Sequence, residues 1–158
     1  MTRRFPVIST VLVAVGLMLM PAAGFASADK GNADEAKAMV EKAATLLKDS
    51  GPDQAFAAFD DPANKDFHDR DLYIFVRSMD GNTVAHGANK GMIGHTNLDL
   101  KDADGKPYNK EMIDLANSKG SGWVDYRWVN PVSHKIEPKS SFIVKVGDYV
   151  VGAGFYKD

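Results

Sequence analysis

The sequence predicts an α+β domain, an antiparallel β-sheet with helices laid to one side. Three observations carry this expectation. An apolar stripe at helical spacing runs through residues 32–48. Two β-prone runs, 72–78 and 83–86, flank an Asp80-Gly81 pair, a strong hairpin signal because the turn needs positive φ. Three more β-prone runs close the chain, the last two joined by the tight turn Val146-Gly147-Asp148. Consecutive strands joined by short turns pair antiparallel, and in this class the helices segregate from the sheet.

Taken in order, residues 32–48 read as an amphipathic helix. Asn32 caps it, and Glu35 three residues on completes a capping box. Ala36, Met39, Val40, Ala43 and Leu47 form the buried stripe, with Lys37, Glu41 and Lys48 off it. Gly51-Pro52 ends this helix, and residues 53–59 form a second, short one that buries Phe56 and Phe59. Residues 60–71 are polar, hold Pro62 and His68, and read as a loop. Residues 72–78 are enriched in aromatic and β-branched side chains and read as a strand. Residues 87–100 are a long connection holding Asn89, Lys90, Met92, Ile93, Gly94 and His95; connections of this length in a small domain are often functional. Asp102-Ala103-Asp104-Gly105 is a turn. Residues 108–119 form a helix with Met112, Ile113, Leu115 and Ala116 inward and Gly120 as its stop. Strands follow at 122–129, 139–146 and 149–156.

Strand alternation sorts the faces. Val124, Tyr126 and Trp128 share one face, and Trp123, Asp125 and Arg127 the other. Lys139, Ser141 and Ile143 alternate with Ser140, Phe142 and Val144. Tyr73 and Phe75 share a face with Arg77, and Val84 shares one with His86.

The first 28 residues read as a targeting segment. Arg3 and Arg4 precede an uncharged apolar run of 14 residues, 7–20, then Pro21 and a small-residue Ala26-Ser27-Ala28 cleavage site. The run is short of the ~20 residues that a spanning helix needs. The expectation is a signal peptide at 1–28 and a secreted domain at 29–158, placed in the periplasm. An uncleaved anchor that also uses residues 22–26, holding the domain on the periplasmic face of the membrane, is the alternative. Removing 28 of 158 residues leaves 130, one domain with one core. With Arg3 and Arg4 gone, the formal charge moves from −2 to −4. A mildly acidic domain without a basic tract argues against nucleic acid. The chain has no cysteine, so neither disulfides nor thiolate chemistry enter.

Catalytic patterns are lacking. Gly120-Ser121-Gly122 lacks the spacing of a nucleophile elbow. Histidines 68, 86, 95 and 134 show no metal-ligand spacing. Asp99, Asp102 and Asp104 precede a glycine at the wrong offset for a calcium loop, and an aspartate-rich turn is the better account. The expectation is no enzyme, no metal and no cofactor.

The final third carries a resemblance. Gly120-Ser121-Gly122-Trp123-Val124-Asp125-Tyr126-Arg127-Trp128 leads through Asn130-Pro131 to Lys139-Ser140-Ser141-Phe142. Tyr149-Val150-Val151-Gly152-Ala153-Gly154-Phe155-Tyr156 then closes the chain. With the upstream Asp71-Leu72-Tyr73-Ile74-Phe75-Val76, Asp80-Gly81 and Thr83-Val84-Ala85-His86, this resembles the single Cache domain family, the extracytoplasmic small-molecule sensors of bacteria. The resemblance implies a five-stranded antiparallel sheet similar to PAS domains, a long N-terminal helix behind it and short flanking helices. It implies a ligand held between the sheet and the long connection, against Tyr73, Phe75, His86, Tyr126, Trp128, Lys139 and Ser141, with Met92 and Ile93 as lid. Aromatic walls with a few polar tips and one lysine suit a short carboxylate such as acetate, propionate, lactate or pyruvate. For each aromatic the alternative is plain core, and for His86 a hydrogen-bonded strand-end histidine. Arg77 and Arg127 are alternative carboxylate clamps, since arginine grips carboxylates bidentately. Arg127 reads as a surface ion pair with Asp125, and Arg77 as near the solvated hairpin end. Two departures stand out. Gly87 follows the histidine where the family has proline, which loosens the loop, and Phe142 stands where a tyrosine is common, one hydroxyl fewer. The expected function is a sensor or binding domain for a small organic acid. It would pass its signal through a membrane receptor, kinase or transporter subunit, and a homodimer is plausible from the family. The rival is a structural or interaction module of a membrane-associated complex.

Overall fold

The computed structural model describes residues 30–158. The targeting segment and its cleavage site lie outside the described residues.

Helix α1 spans Ala33–Phe59 and begins with the capping box: Asn32 Oδ1 accepts from Glu35 N at 3.0 Å, and Glu35 Oε2 accepts from Asn32 N at 3.1 Å. It is two helices meeting at a kink at Gly51, whose φ of 79° only glycine adopts without strain. Pro52 then opens the second part, where its fixed φ suits a helix start. A miniature hairpin, β1 (His68–Asp69) and β2 (Leu72–Tyr73), lies within the segment expected as loop and strand. Strands β3 (Phe75–Ser78) and β4 (Thr83–His86) follow, then a 3-10 turn at Lys90–Met92. Helix α2 (Tyr108–Lys119) ends on Gly120 at φ 78°, the left-handed stop. Strands β5 (Ser121–Val129), β6 (Ile136–Val146) and β7 (Tyr149–Tyr156) complete the chain.

The five-stranded antiparallel sheet has the order β4-β3-β7-β6-β5, so the last strand is its centre. This is the expected α+β architecture with one difference. The helices do not share a side: α1 covers one face, and α2 with the long connection covers the other. Alternation fixes the division. Val76, Ala85, Phe142, Val151 and Ala153 meet α1, whereas Tyr73, Phe75, Val124, Tyr126, Ile143 and Val150 meet Tyr108, Met112 and Ile113 around α2.

A register shift in the β3–β4 pair changes one expected face. Val76 pairs with Ala85, but Arg77 pairs with Thr83, so Val84 is bulged out of the ladder. Val84 therefore joins the α1 side and does not share a face with His86. Both sheet edges are covered. The connection returns along β4, with Thr83 N donating to His95 O and Gly94 N to Thr83 O. On β5, Asp102 accepts from Arg127 N at 2.9 Å and Lys106 Nζ donates to Asp125 O. Asp102 also accepts from Asp104 N and Lys106 N, which accounts for the aspartate-rich turn.

Candidate ligand-binding site

The site grows from the sheet face beneath α2. On β7 the Gly-Ala-Gly run leaves this face bare: a Cβ at Gly152 would strike the Phe75 ring, and one at Gly154 would strike Ser141 Oγ and the Lys139 chain. Phe75 and Lys139 thus lie across the central strand. Lys139 stands between Tyr126 on β5 and Tyr156 on β7 in register.

Lys139 is 1% exposed. Its ammonium sits 3.9 Å from the Tyr73 ring centroid and 4.7 Å from that of Tyr156, and donates to Tyr156 Oη at 3.4 Å. The Tyr156 hydroxyl passes on to Val129 O at 2.7 Å. Burial pushes the Lys139 pKa down to about 7; the Asp71 charge raises it and the Arg77 charge lowers it.

Arg77 is the second buried cation, 3% exposed, which corrects the expectation of a solvated hairpin end. The returning connection encloses it: Leu98 packs on this cluster, and Asn97 shares Thr83 Oγ1 with Arg77 Nη1, the latter at 2.9 Å. Its guanidinium lies 5.6 Å from the Phe75 ring centroid and 5.9 Å from that of Tyr108. Burial lowers its pKa, opposed by the neighbouring tyrosines, yet a guanidinium stays charged. Neither cation forms a salt bridge among the described residues. Arg77 Nε, Tyr108 Oη and Asn109 Oδ1 are buried without a hydrogen-bond partner. Buried polar atoms are normally satisfied, so such a group marks a place for a water or ligand.

The aromatic wall is continuous. Tyr108 stacks on Tyr126 at 4.6 Å and 3°, and Trp128 lies 5.5 Å from Tyr108. Tyr126 Oη and Ser141 Oγ are 3.0 Å apart. Burial raises the Tyr126 pKa, so its hydroxyl stays protonated. His86 lies 5.0 Å from Tyr73, and its Nδ1 accepts from Asn89 N at 3.0 Å, so in the neutral ring Nε2 carries the proton. Burial, then the Lys139 and Arg77 charges, lowers its pKa to about 3.

A cavity of about 280 Å³ opens beside this cluster, between Tyr73, His86 and Asn89 on one side and Trp128, Val129, Pro131 and His134 on the other. A larger depression of about 530 Å³, along α1 at Lys42, Leu46, Asp49 and Phe67, lies on the opposite side of the sheet. Neither cation lines either opening, but the smaller one is walled by Tyr73, whose ring carries the Lys139 ammonium at 3.9 Å, and by His86 and Trp128 of the same face, so it is the better candidate.

Of the residues expected from sequence, Tyr73, Phe75, His86, Tyr126, Trp128, Lys139 and Ser141 come together. Met92 does not: it sits half-buried on the 3-10 turn and does not line the cavity, because the connection runs down the β4 edge instead of across the opening. Asp125 pairs with Lys157 at 2.8 Å and not with Arg127. Phe142 faces α1, 5.2 Å from Trp123, so a hydroxyl there would not reach this face. Gly87 is held, its N–H on Ile74 O at 2.9 Å, and a Cβ there would crowd Phe59 O at 3.0 Å. The sequence reading missed Tyr108 and Tyr156. Tyr108 was legible only as a helix start, and Tyr156 closes its strand without any pattern of its own.

A family profile described as Cache domain, of the subtype labelled dCache_2 and not single Cache, matches residues 63–158. A sensor histidine kinase of Rhizobium johnstonii is 38% identical over 91 residues, 56% of this chain and 20% of its own length. A methyl-accepting chemotaxis protein of Pseudomonas putida is 27% identical over 121 residues, 75% of this chain and 22% of its own. The chain thus spans about a fifth of these curated relatives. Among solved structures, a Cache chemosensory domain described for carboxylic acid recognition superposes with a TM-score of 0.70 at 22% identity, over 79% of this chain and 92% of its own. A periplasmic sensor domain of a chemotaxis protein gives 0.63 at 26%, over 79% and 90%. A methyl-accepting chemotaxis protein of Vibrio parahaemolyticus gives 0.69 at 24%, over 79% and 88%.

Proposed function

The chain belongs to the Cache domain family, and we propose that residues 29–158 are a periplasmic sensor domain that binds a short organic acid of the acetate, propionate, lactate or pyruvate class without transforming it. The observation that carries this reading is the pair of buried cations, Lys139 and Arg77, on one sheet face with no carboxylate bridged to either among the described residues. A buried charge without a partner is costly, and a small carboxylate supplies the counter-charge together with acceptors for the orphan Arg77 Nε and Tyr108 Oη. The aromatic walls exclude water around it. Carboxylic acid recognition, described for one fold neighbour, agrees in sign. The signal would pass to a membrane receptor, kinase or transporter partner; the names of the two curated relatives favour the first two.

A second reading, an interaction module, is favoured by one feature. Val129, Val132 and Ile136 stand 47–54% exposed at the β5–β6 turn. The apolar stripe of α1 does not support it, because that stripe is buried against the sheet.

Thermal denaturation against millimolar short carboxylates, amino acids and amines separates the two. A ligand at 100 times its dissociation constant adds about 2.7 kcal/mol to the folded state, a rise of several degrees. A rise confined to short acids and lost in Arg77→Gln and Lys139→Met is the expected result. No rise with any compound would move the weight to the interaction module.

A further inference from the structure

We propose that Asp71 is a relay between the ligand compartment and the start of α1, so that a carboxylate bound against Lys139 tightens the hold on the chain at Gly31. This relay presupposes the sensor reading above and names the residue through which that site reports.

Asp71 is fully buried at the bend between β1 and β2. A contact route joins it to Lys139: the ammonium donates to Tyr156 Oη at 3.4 Å, and that hydroxyl to Val129 O at 2.7 Å. The next residue, Asn130, reaches Asp71, whose charge in turn raises the Lys139 pKa. The two Asp71 oxygens look elsewhere for hydrogen bonds. Oδ1 accepts from Gly31 N at 2.7 Å, across 40 residues, at the point where the chain leads into α1. Oδ2 accepts from Asn130 Nδ2 at a loose 3.4 Å. Asn130 is itself 2% exposed, and its Oδ1 holds Val132 N at 2.8 Å. It therefore organises the turn that gives Val129, Pro131 and His134 to the cavity wall. One side chain thus touches the charge field of the site, the turn that walls it and the lead-in to α1.

The lead-in is clamped in a way that makes it responsive. Gly31 has no room for a Cβ against the Leu72 side chain. Arg70, in the left-handed region at φ 55°, donates to Lys30 O at 2.8 Å and pairs with Glu35 at 2.8 Å. Lys30 pairs with Asp158 at 3.2 Å, so the first and last described residues meet here. An anion arriving on Lys139 shares the cation with Asp71 and repels it. The buried Asp71 carboxylate must then lean harder on its remaining donors, the Gly31 N–H and the Asn130 amide. A ligand shifts such an equilibrium only through a difference in interaction between states, and this repulsion is that difference.

Amide hydrogen exchange with and without saturating propionate, lactate or pyruvate tests the relay, with calorimetry reporting binding separately. The amide of Ala43, mid-helix and buried, reads global opening. The expected result is that the acid slows Gly31 by at least about fivefold more than Ala43, the lower end of ordinary coupling between sites, and that Asp71→Asn abolishes the excess while still binding. Asp71→Ser, which also removes the charge, serves with the same expectation if Asp71→Asn does not fold. Binding with Gly31 tracking Ala43, or an excess that survives both substitutions, overturns the relay and leaves the sensor reading standing. Absence of binding by all three acids overturns the sensor reading, and the relay with it.

Discussion

The two faces of the sheet differ in what they bury. Against α1 the residues are wholly apolar: Val76, Ala85, Val151 and Ala153 meet Ala36, Val40, Ala43 and Phe59, with no buried charge in the cluster. Under α2 the residues are large and wet-edged: four tyrosines, Phe75, two cations and three orphan polar atoms. Both faces exclude solvent, but the two buried cations lie on only one of them. The difference teaches that stability and recognition are held on opposite sides of one strand, β7, whose Val151 and Ala153 serve the first and whose Gly152 and Gly154 make room for the second.

The comparison breaks most sharply at Phe59. It is 0% exposed and lies 4.9 Å from Phe67 in a T-shaped contact. Phe59→Ala should cost about 3–5 kcal/mol, read as a fall in the urea midpoint at unchanged slope. Ligand affinity measured on the folded protein should stay as in the parent. A parallel loss of affinity would show that the faces are coupled and the division is false.

Lys139 gives the opposite pattern. Lys139→Met should abolish carboxylate binding yet change stability by only about 1–2 kcal/mol, because relief of the buried ammonium is offset by loss of the counter-charge to buried Asp71. The pH dependence fixes the sign. The Lys139 pKa falls from 10.5 to about 7 on folding. Below pH 7 both states carry the proton, and the folded state bears the full cost of the buried charge. Between about 7 and 10.5 the unfolded chain binds more protons, so stability rises with pH across that window. The rise should vanish in Lys139→Met. Carboxylate affinity should move the other way, falling as pH climbs above 7, because the ligand needs the ammonium. His86, with its pKa near 3, stays neutral throughout and contributes nothing to either trend.

What was legible in the sequence follows from how local each cause is. The capping box at Asn32 and Glu35, the break at Gly51-Pro52, the Gly120 stop and the Gly147 turn each depend on a few adjacent residues, and all stand in the structure. Strand alternation put Tyr126 with Trp128 and Lys139 with Ser141, while the resemblance, not alternation, joined the two sets, which the β5–β6 register places side by side. Where a long-range contact decides, the pattern was silent. The Val84 bulge flips one face through pairing with β3, which no residue of β4 announces. Pro138 hid the first three residues of β6, since proline argues against a strand when its partners are unknown. Arg77 looked solvated because it ends a hairpin, and only the returning connection and α2 bury it. Met92 looked like a lid because the connection is long, but length does not say which way a loop runs.

The smallest expected effect sharpens the comparison inside the site itself. Tyr126 is 7% exposed, its ring is stacked on Tyr108, and its hydroxyl is already engaged with Ser141 at 3.0 Å. Removing that hydroxyl leaves the stack intact and strands one buried serine oxygen. Tyr126→Phe should therefore cost about 1 kcal/mol of stability, a shift of a few degrees in the thermal midpoint, with carboxylate affinity changed by less than about tenfold, which is 1.4 kcal/mol. A larger loss of affinity without a larger loss of stability would mean that the hydroxyl leaves Ser141 for the ligand on binding. Tyr126 would then belong with Lys139 and Arg77 as a group that the ligand completes, and the satisfied part of this face would shrink to the rings alone.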